Sequence, residues 1–127
     1  MRKELFTIEY QLNNASLPIL WSSIGTAPGL SEWFANDVII EDNTYTFKWD
    51  QYEQVAKLIQ KKQNSFIRFQ WEEDFETDYY YELKIITVPV TGDLTLLVTD
   101  FAEEAEKEDA IMLWNKQIEG LRRRSGL

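Results

Sequence analysis

Apolar and polar residues alternate near the start of the chain: Phe6, Ile8, Tyr10 and Leu12 point one way, Thr7, Glu9 and Gln11 the other. A period of two predicts a half-buried strand over residues 4 to 12. Asn13, Asn14, Ala15 and Ser16 break the pattern, and Asn14 or Ser16 can cap a helix that begins there. Pro18 is tolerated only in a first helical turn. Leu17, Leu20, Trp21 and Ile24 then share a short helical face that Gly25 ends, and a second short helix is predicted from Pro28 to Ala35, presenting Leu30, Trp33 and Phe34.

After Asn36 the period returns to two. Val38 to Ile40 reads as a strand, Glu41 to Thr44 as its turn, and Tyr45, Phe47 and Trp49 as the inner face of the returning strand, with Asp50-Gln51 turning the chain again. Residues 54 to 61 suit either a helix or a strand, since Val55, Ala56, Leu58 and Ile59 also fit a helical face. The short turns on either side favour a strand. Asn64-Ser65 is a further turn, Ile67, Phe69 and Trp71 alternate with Arg68 and Gln70, and the acidic run from Glu72 to Asp78 reads as a solvated loop. A long strand is expected from Tyr79 to Val88, with Tyr79, Tyr81, Leu83 and Ile85 on one face; Pro89 to Asp93 turns, and Leu94 to Thr99 is the last strand.

The closing stretch, from about Phe101 to Arg124, has helical period: Ile111, Trp114, Ile118 and Leu121 make a stripe flanked by Ala110 and Leu113. Asp100 is the expected N-cap and Glu103 its capping-box partner, with Gly126 beyond the end. Acidic residues fill the first turns and Arg122, Arg123 and Arg124 the last, the order the helix dipole favours. A helix of about 20 residues is about 30 Å long and needs an apolar surface of similar length. The upstream strands supply it. The expected class is therefore α+β, with a curved antiparallel sheet, two short helices after its first strand and a long terminal helix across one face.

Length and composition narrow the chemistry. The chain of 127 residues fits one domain spanning 1–127, and with 14% aromatic residues it can build its own core. It has no cysteine and no histidine, which removes thiol nucleophiles, disulfides, imidazole catalysis and the commonest metal ligands. A net charge of −9 opposes nucleic acid and anionic membranes, and no 18-residue apolar run predicts membrane insertion. A soluble cytoplasmic protein is expected, with no cofactor, no metal and no catalytic residue assigned.

Ser16 to Ala35, the strands after them and the segment from Ile111 to Arg124 resemble START-like domains of the SRPBCC or Bet v 1-like superfamily, on the side of the Hsp90-activator homology (AHSA1-like) proteins. Pro18, Leu20 and Trp21 match the first helix of that pattern, Leu30, Trp33 and Phe34 the second, and Trp114, Ile118 and Leu121 the last. The resemblance implies a helix-grip fold. Members bind lipids, sterols or polyketides, act as cyclases or aromatase-like enzymes, or activate chaperones, and the fold does not choose among these.

A cavity between the curled sheet and the terminal helix is the natural place for a small ligand. Its candidate lining residues are Phe34, Phe69, Tyr81, Leu83, Met112 and Trp114. Trp21, Trp33 and Trp114 are expected to hold the helices to the sheet, while Trp49 and Trp71, near strand ends, can rim a pocket mouth or a partner surface. The acidic loop lacks the spacing of a calcium loop. Arg68 and Glu82 are expected outward as a cross-strand pair; an inward Arg68 would instead anchor a ligand carboxylate. The leading expectation is a non-enzymatic module holding a small hydrophobic molecule. The alternatives are a protein-interaction or chaperone-accessory module, and a cyclase- or hydrolase-type enzyme using Tyr and carboxylates such as Glu72 and Glu82. The protein is expected as a monomer or a homodimer.

Overall fold

A computed structural model describes residues 2–125. The N-terminal alternation forms β1 (Glu4–Leu12), with Phe6 and Leu12 buried and Thr7, Glu9 and Gln11 exposed. The break after it starts α1 (Leu17–Gly25): the Ser16 side chain accepts from the Ile19 amide at 3.3 Å, and Pro18 occupies the first turn, where no amide donor is missed. Thr26 ends α1 and opens α2 (Ala27–Trp33). Its hydroxyl donates to the Ser22 carbonyl at 2.7 Å and accepts from the Gly29 amide at 3.0 Å, which sets the second helix one residue earlier than Pro28. The two helices meet so closely at Gly29 that a Cβ there would lie 1.9 Å from the Ser22 carbonyl oxygen.

Six further strands complete the sheet: β2 (Asp37–Glu41), β3 (Thr44–Trp49), β4 (Tyr52–Lys62), β5 (Phe66–Trp71), β6 (Tyr81–Thr87) and β7 (Leu94–Ala102). They pair antiparallel with one another and with β1 in the order β1-β7-β6-β5-β4-β3-β2. Residues 54 to 61 are strand, as the flanking turns require, and a register shift between Leu58 and Gln60 bends β4. Asp42, between β2 and β3, and Asn64, between β4 and β5, take the left-handed backbone of tight turns, a conformation that Asn and Asp accept more readily than other side chains.

The last helix, α3 (Lys107–Ser125), lies across the concave face and buries Trp114, Ile118 and Leu121. It begins later than its sequence suggests. Asp100 is not an N-cap: β7 goes on pairing with β1 as far as Ala102 opposite Glu4, and a turn of 3-10 helix over Glu104–Glu106 precedes Lys107. Long-range strand pairing outcompetes the local cap. The expected stop at Gly126 lies outside the described residues.

Two other expectations change. Tyr79 and Tyr80 precede β6 because the Gln70 amide donates to the carbonyls of Thr77 and Tyr79 at 3.0 and 2.9 Å and holds this chain out of the ladder. The acidic loop is not wholly solvated: Asp74 is buried and pairs with Lys3 Nζ at 3.0 Å, which ties β1 to the 3-10 turn Glu72–Asp74. Among the described residues no helix is long and apolar enough to cross a membrane.

Candidate functional site

The concave face of the sheet is filled with rings. Phe47, Phe69 and Tyr81 are fully buried, and Phe34, just after α2, is thrust among them. Its ring lies within 5.1 to 6.5 Å of six others, those of Trp33, Phe47, Trp49, Trp71, Tyr81 and Trp114. The Phe34 carbonyl is held as firmly: it accepts from the Trp49 indole at 3.1 Å and from the Gln117 amide at 3.3 Å. One residue therefore ties α2, β3 and α3 together and occupies the space where a deep cavity would otherwise open.

Outside this plug a recess of about 660 Å³ stays open. Its apolar walls are Phe34, Trp49, Trp71 and Trp114, with Tyr52 at its edge, 59% exposed and stacked on Trp49 at 5.0 Å. Strand ends put them there. Trp49 and Trp71 close β3 and β5, Tyr52 opens β4, and the curl of the sheet turns these ends toward α3. Asp100 also lines the recess. Its Oδ2 accepts from the Trp114 indole at 2.9 Å and its Oδ1 from the Phe101 amide at 2.7 Å. Burial pushes the Asp100 carboxyl up to about 6, against the downward pull of those two bonds and of Lys3. Lys116, Gly120, Arg123 and Arg124 of α3 line another wall, and Glu32 stands among the α2 residues.

Of the residues expected to line a pocket, Phe34 and Trp114 reach this recess. Phe69, Tyr81 and Leu83 lie beneath it in the packed core, and Met112 stands 67% exposed, about a third of a turn from the Ile111 position that begins the buried stripe. The Tyr81 hydroxyl is buried with no hydrogen-bond partner among the described residues, and burial drives its ionisation well above the usual tyrosine range, with the Asp100 charge adding to it. Arg68 and Glu82 form the expected cross-strand pair on the other face, Nη2 to Oε1 at 3.0 Å, with the guanidinium 4.2 Å from the Tyr80 ring centroid. Glu82 is thereby engaged away from the recess and does not meet Glu72 in a carboxylate pair there. Among the described residues no cluster of acidic side chains could hold a metal ion. Asp100 is the residue that sequence reasoning misjudged: its position suggested a cap, and only the register of β7 turns it into the recess.

Residues 1–126 match the family described as START-like superfamily domain. The chain belongs to that family. It is 42% identical to BfR322 from Bacteroides fragilis, whose solution structure superposes with a TM-score of 0.69 over 98% of this chain and 92% of that one. At lower identity it resembles the Aha1 dimer from Colwellia psychrerythraea, with 16% identity, TM-score 0.75 and coverage of 93% and 92%. It also resembles an uncharacterised protein from Bacillus thuringiensis, with 10% identity, TM-score 0.77 and coverage of 96% and 98%. These two likenesses concern the fold. None of the curated proteins matches the chain.

Proposed function

We propose that this START-like chain acts as one non-enzymatic binding unit in the cytoplasm, holding a small, largely apolar molecule in the recess between the strand ends and α3. The observation that carries this reading is the set of half-buried indoles, Trp49 and Trp71, standing open beside Trp114 and Phe34 in a recess of about 660 Å³. Large apolar rings beside a few polar groups, here with the partly buried Asp100 among them, are the usual composition of a ligand site. The ring-filled interior favours a ligand seated outside the Phe34 plug over one swallowed whole. Native mass spectrometry of the purified protein tests the reading: a small molecule released on denaturation is expected, and a second preparation soaked with a mixed lipid and aromatic extract should retain adducts of discrete mass. A protein that stays at its polypeptide mass in both would contradict it.

A second reading places the chain on the AHSA1-like side of the superfamily, as a chaperone-accessory or protein-interaction module. Its support is the likeness to the Aha1 dimer together with Met112 and Leu113, two large apolar side chains exposed side by side on α3. Size-exclusion chromatography with light scattering separates the cases, because Met112→Lys, a change outside the recess, should lose any self-association or partner binding while keeping its fold.

A further inference from the structure

The charged groups of the recess are unevenly placed, with Asp100 on the sheet and three cations against one acid, Glu32, on the helices, and that placement points to the chemistry of the occupant. Asp100 offers only acceptors when ionised, and its two oxygens use one lone-pair site each on Trp114 and Phe101. A carboxylate has about four such sites. The unused ones require donors. On the α3 wall, Lys116, Gly120 and Arg124 recur at intervals of four and so share a helix face, with Arg123 beside them. A Cβ built on Gly120 meets nothing within 4 Å, so the space between these cations is open. None of the three cations is in an ion pair among the described residues, and the acid on the facing α2 side is Glu32 alone.

We propose that the recess selects planar apolar molecules with a hydroxyl or amine at one end, which donates to Asp100, and an anionic group at the other, which faces Lys116, Arg123 and Arg124. The inference rests on the ligand-binding reading above and adds the ligand's polarity. A donor on an ionised, partly buried carboxylate is a charge-assisted hydrogen bond and raises affinity about tenfold. An anion among solvated cations raises it roughly threefold, and that gain fades with salt.

Isothermal titration with three probes of one shape tests this: 6-hydroxy-2-naphthoate, 2-naphthoate and 2-naphthol, at pH 7.5, where the Asp100 carboxyl is ionised. The doubly substituted probe should bind tightest. In Asp100→Asn, which keeps one acceptor oxygen but loses the charge, the hydroxyl's gain, read as 6-hydroxy-2-naphthoate against 2-naphthoate, should fall to about threefold or less. In Arg123→Gln/Arg124→Gln, two exposed changes that leave the core alone, the carboxylate's gain over 2-naphthol and its salt dependence should vanish. Equal binding of all three probes, or gains that survive undiminished in the variants, would overturn the polarity while leaving a binding module in place. No binding by any of the three would overturn the ligand-binding reading as well.

Discussion

Trp114 of α3 donates its indole N–H to Asp100 Oδ2 of β7 at 2.9 Å, joining the terminal helix to the sheet across a wall of the recess. The carboxyl is desolvated in this position, and its ionisation rises to about 6 from an ordinary value of 3.8. Because the folded value lies above the unfolded one, the folded state holds the proton more tightly, and stability falls as pH rises from 4 through 6. A rise of that size corresponds to up to about 3 kcal/mol. Chemical denaturation of the wild type and Asp100→Asn at pH 4 and pH 7.5 should show the wild type losing ground relative to the variant as pH rises. Parallel pH profiles would mean that Asp100 is not strained by burial. Lys3, which lowers the midpoint, and Asp74, which raises it, are the charged neighbours that modulate it.

Phe34 is the plug, so its removal should be costly. Phe34→Ala deletes contacts with six rings, and a buried Phe→Ala change costs about 3–5 kcal/mol. Water entering from the adjoining recess places the expected loss near the lower end. Urea midpoints measure it, and a loss under about 1 kcal/mol would show that α2 is not pinned through this ring.

Tyr81 presents the opposite case. Its hydroxyl is buried with no partner among the described residues, and such a group costs about 1–3 kcal/mol. Tyr81→Phe keeps the stacked ring and should raise stability by about 1 kcal/mol in the same denaturation assay.

Two glycines separate packing from propensity. At Gly29 a Cβ would lie 1.9 Å from the backbone of Ser22, so Gly29→Ala must push α1 and α2 apart and should lower the melting temperature strongly. At Gly120 the same atom meets open space inside a helix, and Gly120→Ala should gain up to about 1 kcal/mol. Calorimetry on the pair checks both signs.

The architecture is readable along the chain because each element satisfies local and global demands together. Phe6 to Leu12 could only be a half-buried strand, and Ile111 to Leu121 only a helix with one apolar face. Residues 54 to 61, ambiguous by propensity, resolve to strand because β4 has a partner on both sides. The misleading signals are local ones overruled from a distance. Asp100 looks like a cap until β1 extends the ladder past it, and Tyr79 looks like strand until the Gln70 side chain takes its carbonyl. The site was less legible than the fold. That the expected cavity is filled by Phe34, leaving Trp49, Trp71 and Asp100 to line an outer recess, depends on how three separate elements meet, and no spacing along the chain encodes that.

Ligands that seat outside the Phe34 plug must touch some indoles and spare others, so the indole N–H resonances of the five tryptophans locate the binding site. Titration with 6-hydroxy-2-naphthoate should move the signals of Trp49, Trp71 and Trp114 saturably and leave that of Trp21, buried in α1 away from the recess, in place. Five unmoved signals, or movement of Trp21 while the recess indoles stay fixed, would contradict a site outside the plug.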